Sequence, residues 1–447
     1  MGSFPQTLPK DLKITFKSTS LVHPPPLTLE RRRSMFLSNI DQLFNFDMET
    51  VHFFSAVESF PPSTVCDAIK RALQQLLVPY DFLAGRLRTD PVKGRLEVDC
   101  NGAGAGFVVA SSEMTLEEVG DLTYPHPAFK NLVPTRSLKG LEDWPLMAIQ
   151  VTSFKCGGFA VGISNNHATF DGTTFKTFLD NLASLATSSE GTLSVHPCND
   201  RDLLSARSPP RVTFPHPELT NSTDSILGAS INGTPIETKL FHLTASDITL
   251  LKQKANSPHE AGPAPTSFNA VTAHVWRCHA AATAAKTSTL LYMVDLRSRL
   301  RLHLPKSYAG CAVWGAYATA TRDELVEGQF DRVVESVREG KERVTEEYVR
   351  SVVDALEMGK GGALMSGDLL VTSWWRLGLE TVGYPWGSPL YCCPIVDRRR
   401  GIAVFVPEIR GSDGGSGGSG GMNIFISLSA GDEAELFEKM FYEFLKS

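Results

Sequence analysis

Residues 159–164, Phe-Ala-Val-Gly-Ile-Ser, form an unbroken apolar run entered through Gly157-Gly158 and closed by Asn165-Asn166. Residues 173–186 then carry Phe175, Phe178, Leu179, Leu182 and Leu185 at spacings of three and four, the period of an amphipathic helix. The spacing predicts a buried strand that turns directly into a helix, a unit that has to layer helices on a sheet. The turn reads His167-Ala168-Thr169-Phe170-Asp171-Gly172. A neutral imidazole near pH 7 is the side chain best suited to take a proton from an alcohol or amine, and a strand-to-helix turn is where a rigid scaffold presents such groups. His-x-x-x-Asp alone is a weak signal. A second copy, His196 to Asp200, lies in a Pro-containing stretch with no strand before it. For His167 the alternative is a satisfied core histidine. For Asp171 it is a helix N-cap with Gly172-Thr173-Thr174 as the first turn.

A chain of 447 residues exceeds what one hydrophobic core usually supports, so two domains are expected. Hydrophobic residues at 42% and charged residues at 21% suit an ordinary globular protein, and the net charge of −6 offers no polycationic surface for nucleic acid. No apolar run is long enough to span a membrane, and the N-terminus shows neither a secretory h-region nor a myristoylation signal. The eight cysteines form no Cys-x-x-Cys pair, which reads as reduced thiols in a cytoplasmic protein. By the same logic the sequons at Asn221 and Asn232 carry no glycan. No His-Glu-x-x-His or other ligand spacing marks a metal site, and no P-loop is present.

Strand-like segments are expected at 51–56, 94–99, 146–153, 237–243, 293–297, 402–408 and 422–428. Helices are expected at 64–76, 246–255, from Thr266-Ser267 to Arg277, over most of 329–358, and at 433–445. The Gly-Ser run 411–421 reads as a flexible hairpin connection. Its Gly-x-Ser-x-Gly patterns join two strands, so they are not a nucleophile elbow. The basic run Arg31-Arg32-Arg33 reads as a solvated face. Residues 196–235 turn polar and rich in Pro, Ser and Asn, a long crossover between domains at 1–195 and 236–447. Strands and helices mix in both halves, which predicts α/β or α+β layering, each domain a mixed sheet with flanking helices.

Several further motifs occur in order. They are Leu37-Ser38-Asn39-Ile40-Asp41, Leu83-Ala84-Gly85-Arg86-Leu87, Ser267-Phe268-Asn269-Ala270-Val271-Thr272-Ala273-His274-Val275-Trp276-Arg277, Asp295-Leu296-Arg297-Ser298-Arg299 and Thr372-Ser373-Trp374. With the His167 motif they resemble the plant BAHD acyltransferase family over nearly the whole chain, from about residue 10 to 445. The resemblance implies two chloramphenicol-acetyltransferase-like domains with a solvent channel through their interface, and His167 in mid-channel. It implies acyl transfer from a coenzyme A thioester to an alcohol or amine, with acyl-CoA as co-substrate, no permanently bound cofactor and a monomeric, cytoplasmic enzyme. It further implies an ion pair of Asp171 with Arg297, support of the site by Gly172, a phosphate site at the helix start Thr266-Ser267, and substrate contacts from Ser38, Thr372, Trp374 and Trp386.

Two family motifs are altered. Asp-Phe-Gly-Trp-Gly, considered structural, survives only as Gly383-Tyr384-Pro385-Trp386-Gly387, and Tyr-Phe-Gly-Asn appears as Tyr308-Ala309-Gly310-Cys311. A thioester is already activated, so attack needs deprotonation and orientation, and no Ser or Cys intermediate is required. The resulting oxyanion needs a donor, for which the resemblance suggests the Trp386 region or a nearby backbone N–H. Overall likeness favours a hydroxycinnamoyl donor and an alcohol acceptor. The alternative is a non-catalytic accessory role in very-long-chain lipid elongation, which some members of the family serve and which eroded motifs would fit.

Overall fold

The structure, a computed structural model, describes residues 11–26, 33–123, 126–136, 138–141, 143–188, 191–220, 235–256, 264–300, 304–359, 364–395, 399–408 and 420–446. The chain divides into two units. The first is drawn from residues 1–205, 301–312 and 377–395 and is built on a six-stranded sheet. Its strand order is Ile14–Val22, Ala105–Ser112, Met147–Ser153, Phe159–Asn166, Asp47–Phe54 and Tyr391–Pro394. Ala105–Ser112 runs parallel to Met147–Ser153, and the other pairings are antiparallel. Every residue of Phe159–Asn166 is buried, which is why its sequence is a continuous apolar run rather than an alternation. The helix Pro62–Leu76 turns Val65, Ala68, Ile69, Ala72, Leu73 and Leu76 inward. It packs against Gly172–Thr187, whose buried face holds the five apolar residues expected of it. Each such side chain contributes about 1.5–3 kcal/mol on burial.

The second unit, residues 206–300, 313–376 and 396–447, has its own six-stranded mixed sheet. Its order is Ile236–Leu243, Met422–Ser429, Ile402–Pro407, Leu369–Ser373, Thr287–Asp295 and Val313–Thr321. Leu369–Ser373 is parallel to both of its neighbours. The helix Ser267–Ala282 is buried continuously from Asn269 to Trp276 because Ala245–Lys254, Phe330–Arg343 and Asp432–Lys446 all pack on it. Two mixed sheets with flanking helices are the layering that the sequence pattern implies.

The differences from the sequence reading have local causes. Helix Ser267–Ala282 outlasts its expected end at Arg277 because Ala280-Ala281-Ala282 sustains it. The 329–358 region is two helices, and Thr345 caps the second through the Tyr348 N–H. The strand expected at 293–297 is Thr287–Asp295. The expected crossover is anchored where it is described. Arg201 is buried, Arg207 Nε donates to Asp354 Oδ2 at 2.6 Å, and Glu218 accepts from Trp314 Nε1 and the Tyr348 hydroxyl. Division at 195 and 236 also misses two returns into the first unit. Residues 391–394 complete its sheet edge against Thr50 to Phe53, and Cys311 and Ala312 donate their N–H groups to its carboxylates. Ile402–Pro407 and Met422–Ser429 pair antiparallel as expected. Most of the Gly-Ser connection, Arg31-Arg32 and both sequons lie outside the described residues.

Burial depresses three of the imidazoles furthest. His52 and His279 fall to about 4, and His274, wedged between Phe441 and Phe444, falls to about 3. Such groups bind fewer protons folded than unfolded, so stability is full above pH 6.5 and is lost as pH falls toward 4. Thermal unfolding scanned from pH 7 to pH 4 should show a steadily falling Tm, and His274→Leu should make that fall shallower. A Tm independent of pH across this window would remove the buried imidazoles as the cause.

Candidate active site

The loop after Phe159–Asn166 is fixed by its own polar groups. Asn166 Oδ1 accepts the Ala168 N–H at 3.1 Å, and the Thr169 hydroxyl donates to the Asn166 carbonyl at 2.6 Å. His167–Thr169 is one 3-10 turn. The His167 N–H donates to the Phe46 carbonyl at 2.8 Å. Its ring stacks on Phe44 at 4.9 Å between centroids and lies 5.3 Å from Phe46. The residue remains partly exposed. Removal from water lowers the imidazole pKa below 6.5, against an opposing pull from its own backbone hydrogen bond and from the charges of Asp171 and Asp41. The net shift favours the neutral imidazole at pH 7.

Two buried carboxylates build the surroundings. Asp171 caps the helix Gly172–Thr187: Oδ1 accepts the Thr174 N–H at 2.9 Å, and Oδ2 accepts the Ala312 N–H at 2.8 Å. Asp41 Oδ1 accepts the Cys311 N–H at 2.9 Å, and Oδ2 accepts the Ser38 N–H at 2.8 Å. Arg201, buried, sets Nη1 3.4 Å from Asp41 Oδ1 and donates from Nη2 to the Thr169 carbonyl at 2.6 Å. It can do so because residue 310 is glycine: a Cβ there would stand 1.8 Å from Arg201 Nη1. The Cys311 Sγ lies 2.9 Å from the His167 carbonyl oxygen and 3.6 Å from Nδ1. Among the described residues no group of three or more His, Cys, Asp or Glu side chains gathers as metal ligands would.

The model of the family described as "Transferase family" matches residues 12–444. Acyltransferase GLAUCE of Arabidopsis thaliana is 50% identical over 424 residues, covering 92% of this chain and 93% of that protein. Omega-hydroxypalmitate O-feruloyl transferase of the same plant is 33% identical over 403 residues, covering 88% and 87%. The chain belongs to this family, the BAHD acyltransferases. It is thus an acyl-CoA-dependent acyltransferase. The fold is that of vinorine synthase, with a TM-score of 0.70, 22% identity and coverage of 95% of this chain and 96% of that one. It also matches F. graminearum TRI101 complexed with coenzyme A and deoxynivalenol, with a TM-score of 0.75, 14% identity and coverage of 90% and 96%.

The other expected residues of this BAHD acyltransferase fall in distinct places. Ser38 is fully buried, and its hydroxyl accepts the Asp41 N–H at 3.1 Å in a reciprocal cap. Asp41 was legible as the last residue of that motif, but its part in the site emerges only with Cys311 placed beside it. Thr372 pairs in the sheet with Val404, and the Trp374 N–H donates to the Phe405 carbonyl at 2.7 Å, both residues staying partly exposed. Thr266 caps the helix Ser267–Ala282 through the Asn269 N–H. It borders a cavity of about 350 Å³ lined also by Arg299, Arg332, Arg338 and Lys341, with Asp331, Glu335 and Glu342. Ser267 is the first residue of that helix. Arg297 is buried in the second unit and bonds Asp295 Oδ1 at 3.2 Å.

Trp386 is not at His167. It stacks on Tyr384 at 5.1 Å and meets Phe159 at 6.2 Å, Phe54 at 6.4 Å and Phe60 at 6.2 Å. Phe159 begins the strand that His167 follows, and seven residue steps at roughly 3.3 Å separate its two ends by about 23 Å. The oxyanion role suggested for Trp386 therefore fails on distance. Gly387, at φ 101°, closes the turn behind it. Trp386→Phe should lower stability by about 1–2 kcal/mol, part of the lost packing being offset by removal of an indole N–H that has no acceptor. Donor selectivity should not change. Altered selectivity at unaltered Tm would put Trp386 back into the site.

Proposed function

We propose that this acyltransferase moves a hydroxycinnamoyl-type group from its coenzyme A thioester to an alcohol acceptor, with His167 as general base and without a covalent enzyme intermediate. The observation that carries this reading is the state of His167: a partly exposed, neutral imidazole against Phe44 and Phe46, on a turn held by Asp171. The acceptor O–H gives its proton to the imidazole as the oxygen attacks the thioester carbonyl. The tetrahedral intermediate then collapses, the C–S bond breaks, and the departing thiolate takes the proton, leaving ester and free coenzyme A. Proton transfer of this kind lowers the barrier by about 3–5 kcal/mol, roughly 10²–10⁴-fold in rate.

Asp171 and Gly172 support the site by fixing the loop and the helix start, and the family resemblance adds Arg297 to that role. A coenzyme A phosphate site at the Thr266 cavity is supported by the four basic side chains that border it at the start of a sixteen-residue helix, alongside three acidic ones. The names of the relatives support the donor class: one is an omega-hydroxypalmitate O-feruloyl transferase, another a fatty alcohol:caffeoyl-CoA acyltransferase. Eight cysteines free of disulfides support a reducing, cytoplasmic location.

His167→Ala should lower turnover by at least about 100-fold with coenzyme A binding retained, whereas exposed His196 in the chance copy should tolerate alanine. Equal effects of the two substitutions would end the base assignment. In the wild type, kcat/KM should fall as pH drops through an apparent pKa below 6.5, because protonation removes the base. Feruloyl-, caffeoyl-, acetyl- and long-chain acyl-CoA offered with mixed alcohols and amines, read by mass spectrometry, test the substrate class. A preference for acetyl or aliphatic donors would displace the hydroxycinnamoyl reading.

A further inference from the structure

One guanidinium reaches the His167 turn from the polar stretch after residue 195. Asp200 caps the 3-10 turn Arg201–Leu204 by accepting the Asp202 N–H at 3.1 Å, and this turn buries both Arg201 and Leu204. Arg201 Nη2 donates at 2.6 Å to the carbonyl of Thr169, inside the turn that carries His167, and Nη1 lies 3.4 Å from Asp41 Oδ1. The same guanidinium meets the rings of Phe82 at 5.3 Å and Tyr308 at 5.7 Å. A planar fork that serves a carbonyl, a carboxylate and two rings at once is a task for arginine and not for lysine. We propose that Arg201 is a positioning residue for His167: it anchors the 167–171 turn through the Thr169 carbonyl and offsets the charge of Asp41 beside the imidazole.

The returning segment is shaped for this guanidinium. A Cβ at Gly310 would stand 1.8 Å from Arg201 Nη1 and 2.7 Å from the Tyr308 hydroxyl oxygen. The backbone of Gly310 is outside the left-handed region, so its missing side chain serves clearance and not conformation. The next N–H, that of Cys311, binds the same Asp41 Oδ1 that faces Nη1. Asp171 and Asp41 are the charges that act on the imidazole, both favouring its protonated form, and the Cys311 thiol lies 3.6 Å from Nδ1. Arg201 acts on the ring at second hand, through Asp41. Without it the full charge of Asp41 would bear on His167 and favour the imidazolium, and the Thr169 carbonyl would lose its charged donor.

The inference rests on the general-base reading of His167, yet the imidazole can be titrated without turnover. Protein labelled with ¹⁵N-histidine, with the His167 signals assigned by their loss in His167→Gln, gives the ring's pKa directly. Arg201→Gln should raise that pKa by about 0.5–1 and move the acid limb of kcat/KM to higher pH by the same amount. With the donor and alcohol that the substrate panel selects, its kcat should fall roughly 10–100-fold and the donor KM should stay within about 2-fold. Arg201→Lys keeps the charge and loses the fork, so the ring's pKa should match the wild type while kcat still falls. Gly310→Ala crowds the guanidinium and should also lower kcat, but in the Arg201→Gln background it should add little. An unchanged or lowered His167 pKa in Arg201→Gln, or additive losses at positions 201 and 310, would overturn the inference. Should Arg201→Gln fail to fold, Arg201→Lys and Gly310→Ala decide, and wild-type kcat in both would sink it. Should His167→Ala retain turnover, the base reading falls, while the titration still decides whether Arg201 governs the ring.

Discussion

The turn that carries His167 depends on two buried carboxylates that accept from backbone N–H groups. Asp41 and Asp171 take the consecutive N–H groups of Cys311 and Ala312, and each uses its second oxygen to cap a local turn or helix. A carboxylate withdrawn from water is costly unless its lone pairs are met and its charge is balanced. Here backbone amides meet the lone pairs, and Arg201 balances Asp41 from within the same cluster. The consequence is geometric. Three stretches far apart in sequence, around residues 41, 171 and 311, are tied within a few ångströms of one another, and the imidazole of His167 stands among them.

The same cluster explains how a histidine can be basic in a largely apolar setting. Stacking on Phe44 and closeness to Phe46 disfavour the imidazolium, while the carboxylates partly compensate by favouring it. The net displacement is downward, which keeps His167 unprotonated at neutral pH. Asp171 is a buried charge and a helix cap, and its oxygens accept the Thr174 and Ala312 N–H groups.

Much of this was legible in the chain. The buried strand, the turn and the following helix were written in an apolar run and a period of three and four, since both are local consequences of burial. The cap at Asp171 was legible for the same reason. What could not be read were the contacts whose partners lie hundreds of residues away. Nothing local says that Cys311 and Ala312 return to the first sheet's unit, or that a four-residue strand at Tyr391–Pro394 completes its edge. Ser38 shows the same double meaning, because Ser-x-x-Asp is also a capping pattern and its hydroxyl caps the turn here. The polar stretch after 195 looked like a linker by composition, yet Arg201, Arg207 and Glu218 are anchored by partners that no window of sequence contains.

The two departures from the family pattern therefore carry different weight. Gly383-Tyr384-Pro385-Trp386-Gly387 lost its aspartate and phenylalanine, but Tyr384 and Trp386 stack on each other and meet Phe54 and Phe159 edge-on at the far end of the strand. Change there is absorbed by aromatic packing about 23 Å from the imidazole along the strand, so erosion of that motif says little about catalytic competence. The substitution at Cys311 is the opposite case. It alters one atom's worth of hydrogen bonding directly against His167, while the backbone that carries it stays clamped by Asp41 and Asp171. The motif at Tyr308-Ala309-Gly310-Cys311 differs from the family pattern at two of four positions, yet it lies closer to His167 than the one that is largely rewritten. Distance from His167 ranks the two, and the number of altered letters does not.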